Sequence, residues 1–527
     1  MKQIEASVPE ETILPESAVA CWEKPEEVPA AEASYRVFLN GRFIAETSAC
    51  DYTFRNLSPA SDYAVSVYLK ESGDSGESAG DPAESGQGNS LFHSLFSRRK
   101  KPDGQSGSLS TGFRTPEKNE ALSVVNFGGV GDGKTKDTAA IQRAVNACRP
   151  WQTVRIPAGR WLSGAIYLRS GVTLCLDEGA VLLGSPDPAD YPIREGMYEG
   201  MPQNCRASLL NACPGKGERF SGIRITGRGT ISGNGSVLGP AEMKQRGSAR
   251  GRVLYFENTD KIYIDGVTIR ESPSWCVHFF NCSDVTVCET RIENLYREDG
   301  RLNGLPNNDG FDPECCRNVR VMHTYIQSED DLVAIKSGRD AAGRALGIPS
   351  ENIRVSDCEF SNGFGVACGS EMSGGIRSVR VSRCTFRDSF SIASVKCCRG
   401  RGNIVENAVF EDCSLVNRSP AYRDCKWFRG AINVDMFYSV EDEEINLSAW
   451  QRVTEETPEL KNLTFRNLSI DTVGGCAIYL CGLPERHLSD IVLENIDARG
   501  RRGMVVQNAD GLEIRSVRLT VTGEPED

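Results

Sequence analysis

A short unit that recurs through the chain after residue 220 constrains the fold more than any other feature of the sequence. Each copy is a glycine or polar residue followed by alternating aliphatic residues. The copies begin at Gly222, Lys261, Asp284, Asn318, Asn352, Ser378, Asn462, Asp490 and Gly511. Most successive copies lie about 21 to 39 residues apart, which is the repeat length of solenoid proteins. Because the strands are short and no helical pattern separates them, stacked coils of strands are expected. The sequence predicts an all-β chain whose main domain, residues 119–527, is a right-handed parallel β-helix.

One stretch near the start of this domain departs from the strand pattern. Residues 138–148 place apolar side chains at helical spacing, and Asp137 or Thr138 is the expected N-cap residue. The first coil of a solenoid would otherwise expose its core to water. The stretch therefore predicts a helix that caps the N-terminal end of the β-helix.

The residues before the solenoid follow a different pattern. Residues 10–71 contain short runs of alternating apolar and polar residues separated by turns, which predicts a small antiparallel β-sandwich. Within it, residues 57–65 resemble the corner of fibronectin type III domains, where a tyrosine, here Tyr63, bonds back to the upstream backbone. Residues 72–118 are rich in Gly, Ser and charged residues and predict a flexible linker. Its basic run at 98–101 is interpreted as solvated, with an anionic partner as the alternative.

Charge and hydropathy exclude several classes of protein. A net charge of −12 argues against nucleic acid as a partner, because phosphate binding needs a basic face. No apolar run approaches the about 18 residues of a membrane span, so no membrane partner is expected. The N-terminus lacks the apolar segment of a secretory signal, which predicts a cytoplasmic location.

The 20 cysteines are scattered, and no pairs have zinc-site spacing. We expect most of them to be small buried apolar residues in a reducing compartment. Disulfides or a metal site are the alternative interpretation. No cofactor and no metal are predicted.

The densest acidic region supplies the candidate catalytic residues. Asp309 and the pair Asp330 and Asp331 lie about one coil apart. Residues one coil apart sit on neighbouring strands, about 4.8 Å from each other along the stack. Carboxylates this close raise the pKa of at least one of them, which keeps a protonated acid beside an ionised base, as glycoside hydrolysis requires. The alternative is a ladder of turn-forming Asp and Asn residues on the solvent face, and spacing alone does not decide between the two.

From about residue 123 onward, the chain resembles glycoside hydrolase family 28, the polygalacturonases. The matching segments are residues 126–133, 137–142, 156–159, 307–309, 330–331 and 369–375. The resemblance implies a pectin lyase-like β-helix and an inverting hydrolase that acts on galacturonate-containing pectic oligosaccharides or polysaccharides from a chain end. Two alternatives are a hydrolase of a modified pectin, such as rhamnogalacturonan or xylogalacturonan, and a non-catalytic carbohydrate-binding β-helix.

The resemblance also implies roles for individual residues. Asp330 corresponds to the general acid, and Asp309 and Asp331 correspond to the residues that hold and activate the attacking water. The matching motifs supply four candidate substrate-binding residues: Asn307, Glu371, Lys396 and Tyr438.

The chain departs from the family pattern at two positions. Residues 363–365 are Gly-Phe-Gly where the family has Gly-His-Gly. Ser394 replaces the arginine of the family's Arg-Ile-Lys motif, whose lysine, Lys396 here, binds the substrate carboxylate. Other residues therefore stand in for these groups, or the sugar at the cleavage point differs from plain galacturonate.

Candidate replacements are present in the sequence. Arg399 and Arg401 follow Lys396 closely and could grip a carboxylate bidentately. His278 is a further candidate for substrate binding, next to Trp275, which could stack on a sugar. The alternatives are solvated turn arginines and a structural histidine. Together with Lys336 and Arg339, these residues predict a local basic cluster in an acidic protein.

A long interruption of the repeat, about residues 410–460, exceeds one coil and contains Trp427, Phe428 and Trp450. Insertions of this kind often shape a binding site. With the N-terminal domain, the insertion is predicted to close one end of the cleft and favour attack on chain ends.

A lyase of the same fold is a further alternative, although the motifs of β-helix pectate lyases are not evident.

Overall fold

The structure is a computed structural model that describes residues 1–29, 32–70, 109–245, 247–420, 429–439 and 446–523. The chain forms two compact units, Met1–Glu120 and Ala121–Asp527.

The first unit consists of two antiparallel sheets that contribute to one hydrophobic core. The strands of the first sheet, in spatial order, are Lys2–Ile4, Asp62–Leu69, Tyr35–Leu39 and Arg42–Thr47, with Thr111–Arg114 also paired to Asp62–Leu69. The strands of the second sheet are Ala6–Ser7, Ser17–Trp22 and Asp51–Arg55, and a 3-10 turn spans Glu10–Thr12. Trp22 and Phe54 from one sheet pack with Tyr35 and Val67 from the other.

The boundaries of this unit differ from the predicted ones. Strands at Lys2–Ile4 and Thr111–Arg114 both pair with Asp62–Leu69, so the sheet extends beyond residues 10–71 and shortens the predicted linker. Most of that linker, residues 72–108, lies outside the described residues. Tyr63 accepts a hydrogen bond of 2.7 Å at its hydroxyl oxygen from the Ser58 backbone N–H, as expected for the corner. The likeness to fibronectin type III domains stays a prediction.

The second unit is a stack of parallel coils with three strand positions in each coil, which confirms the predicted parallel β-helix. Sheet 1 contains Thr153–Ile156, Thr173–Leu176, Phe220–Gly227, Thr259–Asp265, Ser283–Cys288, Arg317–Met322, Ser350–Ser356 and Ile376–Ser382. Sheet 2 contains Asp132–Lys136, Gly159–Ser163, Ala180–Gly184, Thr230–Ser232, Thr268–Arg270, Arg291–Glu293, Tyr325–Ser328, Glu359–Asn362 and Thr385–Arg387. Four long strands then continue both sheets: Ile404–Asn417, Glu459–Thr472, Leu488–Gly500 and Glu513–Val521.

Sheet 3 forms the remaining side of the stack. Its strands, in both chain and spatial order, are Ile166–Tyr167, Leu210–Ala212, Leu254–Glu257, Val277–Phe280, Phe311–Glu314, Val333–Ile335, Val366–Cys368, Ala393–Lys396, Gly430–Asp435, Cys476–Cys481 and Arg502–Gln507. Two short strands, Leu122–Ser123 and Ala509–Asp510, pair at the ends of sheet 1. Ile193–Tyr198 and Met201–Arg206 form a hairpin that is a separate antiparallel pair outside the three sheets.

The backbone conformation explains which residue types open the recurring unit. Its first residue adopts a positive φ in successive coils, for example 55° at Asn318 and 57° at Asn352. Glycine, Asn and Asp tolerate this left-handed conformation best, which explains the residue types that open the repeats. The aliphatic residues that follow pair in register, as Val319 does with Ile353, and both are fully buried. Asn352 also donates a side-chain hydrogen bond of 2.8 Å to Asn318, so the turns are tied together as well as the core.

A helix caps the first coil, as the sequence predicts. Helix α1, Thr138–Ala147, buries Ile141 and Val145 against the core of the β-helix. Asp137 precedes it but makes no capping bond with its side chain. The Asp137 carboxylate instead accepts hydrogen bonds from the backbone N–H groups of Val130 and Gly131, so it orders the loop before the helix.

The remaining helical segments are α2 at Gly235–Met243, α3 at Asp340–Leu346, and 3-10 turns at Val124–Phe127 and Pro188–Asp190. No helix in the described part of the chain has the length and apolar character that a membrane crossing needs. The described cysteines are all free thiols and most are buried, several of them in the core of the β-helix.

Candidate active site

The candidate site lies on the outer face of sheet 3, where consecutive coils align their strands. Phe311 pairs with Val333, Val333 with Val366, and Val366 with Ala393, so the segments beside these strands form one column. A pocket in this column is lined by Glu199, Trp275, Asn307, Asp309, Asp330, Asp331, Lys336, Arg339, Ser370, Glu371, Lys396, Arg401 and Tyr438. The structure therefore brings together eight of the ten predicted site residues.

The three aspartates lie at the start of two neighbouring strands of sheet 3. One carboxylate oxygen from each of Asp309, Asp330 and Asp331 lies within 4.8 Å of the other two. Asp309 and Asp331 are almost fully buried, whereas Asp330 is only half-buried. The Asp331 backbone N–H donates a hydrogen bond of 2.9 Å to the Asp330 carboxylate, which fixes the orientation of that group at the pocket.

Two buried lysines compensate the negative charge of this cluster. Lys396 Nζ donates to both Asp331 carboxylate oxygens at 3.1 and 2.8 Å. Lys336 Nζ lies 3.3 Å from Glu371 Oε2 and 3.8 Å from Asp309 Oδ2. Each ammonium group also lies over an aromatic ring of the pocket: Lys336 over Trp275 at 4.8 Å and Lys396 over Tyr438 at 4.9 Å.

Burial and mutual repulsion shift the pKa of the carboxyl groups. Burial, with the neighbouring Asp312 and Asp330, holds the pKa of Asp309 well above its usual range. Burial also raises the pKa of Asp331, and the ammonium group of Lys396 opposes that rise. Burial also raises the pKa of Asp312, whose side chain interacts with Asp309, to about 8. Asp309 and Asp312 therefore retain protons near neutral pH, whereas the ammonium group of Lys396 favours the ionised form of Asp331.

The opposite wall of the pocket carries an ionised carboxylate. Burial alone would raise the pKa of Glu371, but Lys336 and Arg401 overcome that effect and lower it to about 2. Arg401 is held in place by Asp340 at 2.5 Å and by the Ser370 carbonyl at 2.9 Å. Glu371 is thus an ionised hydrogen-bond acceptor at the pocket, and Arg401 supports it.

These pKa shifts predict a pH dependence of stability. Burial raises the pKa of Asp312 to about 8 and those of Glu314 and Glu242 to about 7, well above the unfolded values of about 4. The folded state then binds more protons between about pH 4 and 8, so its stability is full below that window and falls as pH rises through it. Burial lowers the pKa of His278, so this group makes stability rise with pH below about 6.5. The three carboxyl groups outweigh this single histidine.

Urea denaturation between pH 5 and 8 should accordingly show a free energy of unfolding that falls by at least about 1 kcal/mol per pH unit. The variant Asp312→Asn should show a shallower slope because it lacks one titrating group. A free energy that rises across this range would contradict the protonated state of the buried carboxyl groups.

Two predicted site residues lie outside the pocket. His278 is fully buried, and its Nε2 lies 2.9 Å from Glu314 Oε2, so the prediction that it contacts substrate is wrong for this structure. Arg399 forms a bidentate ion pair with Glu485, at 2.6 and 2.8 Å, and donates to the Ala449 carbonyl. It anchors residues of the insertion instead of replacing the arginine missing at position 394.

The two departures from the family motifs leave apolar or buried groups. Ser394 is fully buried, and its hydroxyl has no hydrogen-bond partner among the described residues. Phe364 occupies the position of the family's histidine, is 8% exposed, and its backbone N–H donates to the Asp330 carbonyl. Neither residue supplies a charged group to the substrate.

Sequence reasoning missed some lining residues and left others without a role. Glu199 reaches the pocket from the turn of the hairpin, where Glu199 and Gly200 have φ angles of 51° and 73°. The Glu-Gly pair between two short strand segments was the available signal for this tight turn. Asn307 also lines the pocket and accepts a hydrogen bond of 2.8 Å from Arg250.

The three aspartates also have the oxygen donors of a Ca²⁺ or Mg²⁺ site. The ammonium group of Lys396 already lies between the two oxygens of Asp331, and Lys336 lies beside Asp309. A divalent cation would have to overcome repulsion from both lysines. The prediction that the site holds no metal stays a prediction, and it is consistent with this charge arrangement.

A half-buried carboxyl group beside two buried ones, above a parallel β-helix, is the kind of site that glycoside hydrolases use. Residues 214–509 match the model of Glycosyl hydrolases family 28, and the chain belongs to that family. A probable polygalacturonase of Vitis vinifera is 30% identical over 389 residues, which cover 71% of this chain and 74% of that protein.

Two further relatives extend the comparison. An exo-poly-alpha-D-galacturonosidase of Dickeya chrysanthemi is 28% identical over 299 residues, which are 49% of each chain. The structure of a Yersinia enterocolitica family 28 exopolygalacturonase matches with a TM-score of 0.76, covers 100% of both chains and is 19% identical. At that identity the structural likeness concerns the fold.

Proposed function

We propose that this protein hydrolyses glycosidic bonds of galacturonate-containing pectic chains and acts from a chain end. The observation that carries the proposal is the different environment of three carboxyl groups that line one pocket: Asp330 is half-buried, whereas Asp309 and Asp331 are almost fully buried beside lysines. The names of the Vitis and Dickeya relatives support galacturonan as the substrate class.

In the proposed reaction, Asp330 donates its proton to the glycosidic oxygen while the bond to the anomeric carbon breaks. A water molecule held between Asp309 and Asp331 attacks that carbon, and its proton passes to the Asp331 carboxylate. The products are a sugar with a new reducing end and the shortened chain with a free hydroxyl group. Lys396 favours the ionised form of Asp331 that a base requires.

The spacing of the aspartates suits a shared water. Three oxygens that lie within 4.8 Å of one another have a point within about 2.8 Å of each, which one water molecule can occupy at hydrogen-bonding distance. Most inverting glycosidases separate their carboxyl groups by about 6.5 to 9.5 Å, so the spacing alone does not assign the stereochemistry. We propose inversion from the family resemblance. NMR of the first anomer released tests it, and initial retention would contradict it.

Elements around the pocket support attack on chain ends. The hairpin turn contributes Glu199, and the segment leading into α3 contributes Arg339. The backbone N–H of Arg339 donates to the Gly200 carbonyl at 2.9 Å, which ties the two elements together at the pocket. On the insertion, Trp450 is 65% exposed, and Trp427 and Phe428 lie outside the described residues. The predicted contribution of the N-terminal domain to closing the cleft stays a prediction.

The test is incubation of the purified protein with polygalacturonan and with defined oligogalacturonides. We expect new reducing ends without ultraviolet-absorbing unsaturated products, short products from the first minutes, and a slow fall in viscosity. Unsaturated products would indicate a lyase, and a rapid fall in viscosity would indicate internal cleavage. Parallel reactions with rhamnogalacturonan and xylogalacturonan decide whether the substrate is a modified pectin. The cytoplasmic location also stays a prediction.

A further inference from the structure

The pocket contains four cationic side chains, and three of them are already committed to protein carboxylates. Lys336, Lys396 and Arg401 have side chains only 6%, 4% and 8% exposed. Each lies within 3.3 Å of a carboxylate oxygen, of Glu371, Asp331 and Asp340 respectively. Because these three groups are buried and already face protein carboxylates, they have little capacity to bind an anionic substrate.

Arg339 differs from the other three cations. Its side chain is 37% exposed, and its ion-pair distances are 3.4 Å to Asp340 and 3.8 Å to Glu199. Charge-assisted hydrogen bonds are normally about 2.7 to 2.9 Å long, so both contacts are weak. The guanidinium group can therefore exchange them for a carboxylate supplied by the substrate without leaving a buried charge unpaired.

The backbone of Arg339 is nevertheless fixed at the pocket. Its N–H donates to the Gly200 carbonyl at 2.9 Å, and its own carbonyl accepts from the Gly343 N–H at 2.8 Å at the start of α3. A side-chain Cβ at Gly200 would lie 2.7 Å from both the N and the Cβ of Arg339. Such close packing needs a glycine and holds the arginine at the rim.

We propose that Arg339 binds the carboxylate of the galacturonate unit in the pocket and so determines the preference for an acidic sugar. This inference rests on the proposed function. A guanidinium group presents paired N–H donors that match a carboxylate, which Lys396 cannot do. Since Ser394 is buried and Arg399 is paired with Glu485, Arg339 takes over the recognition that the family motif assigns to an arginine on another strand.

The experiment measures binding in the background of Asp330→Asn, so that substrate is not consumed. Isothermal titration with trigalacturonate and with its methyl ester compares that protein with the double variant that also carries Arg339→Gln. We expect Kd for the acid to rise about 10- to 100-fold and Kd for the ester to change less than about threefold. Arg339→Lys should fall between the two, and Arg387→Gln, an exposed arginine on sheet 2, serves as the matched control.

Equal losses of affinity for acid and ester would overturn this inference, because Arg339 would then only shape the pocket. An unchanged Kd for the acid would also overturn it. Neither result contradicts the proposed function, because that function is tested by whether the wild-type protein cleaves oligogalacturonides. Conversely, the wild-type protein could bind oligogalacturonides without cleaving them while Arg339→Gln still weakens binding of the acid. That result would contradict the proposed function and support the role of Arg339.

Discussion

Replacement of Asp330 by Asn should lower kcat on oligogalacturonides by about 10²- to 10⁴-fold, with little change in the free energy of unfolding. The amide cannot donate the proton that the leaving oxygen requires, and the half-buried position costs little to change. Release of reducing ends under substrate saturation measures the effect. The matched control is Asp284→Asn, since Asp284 lies outside the pocket at a positive φ that Asn tolerates.

Turnover that survives Asp330→Asn within about threefold of wild type would remove the acid assignment. A wild-type protein that binds oligogalacturonides without cleaving them would instead support the non-catalytic carbohydrate-binding alternative. The two outcomes are separable because the first is read from the variant and the second from the wild type.

Replacement of Lys396 by Met should lower the free energy of unfolding by about 3 to 5 kcal/mol and reduce kcat at neutral pH by at least about 100-fold. The substitution leaves the Asp331 carboxylate almost fully buried without the ammonium group that lies 2.8 Å away. Its pKa should then rise further, and a protonated Asp331 cannot accept a proton from water. Urea denaturation and initial rates measure the two effects.

The double variant Lys396→Met with Asp331→Asn separates charge from packing. It removes both charges, so most of the lost stability should return, while activity should not. Lys461→Met is the control, because its ion pair with Glu406 is partly exposed, spans 3.6 Å and should contribute less than about 1 kcal/mol. A single variant as stable as wild type would contradict the structural role of the Lys396 ion pair.

Much of the fold could be predicted because the types of neighbouring residues in the sequence are enough to identify the repeat. Residues such as Asn318 and Asn352 open each coil at a positive φ, and the aliphatic residues after them alternate inward and outward. The period then places Asp309 beside Asp330 and Asp331 without knowledge of any distant contact. The boundaries of the N-terminal unit were less predictable, since Thr111–Arg114 joins a sheet whose other strands lie more than 40 residues earlier.

The sequence by itself determined the β-helix, its capping helix and the column of aspartates, because short-range periodicity fixes which residues face each other on neighbouring coils. Only the tertiary structure decided which charged side chains reach the pocket. Arg399 is drawn away by Glu485, His278 is buried against Glu314, and Arg339 is held at the rim by Gly200. Those contacts join residues 36 to 139 positions apart, and the position of a long side chain depends on partners that no local pattern specifies.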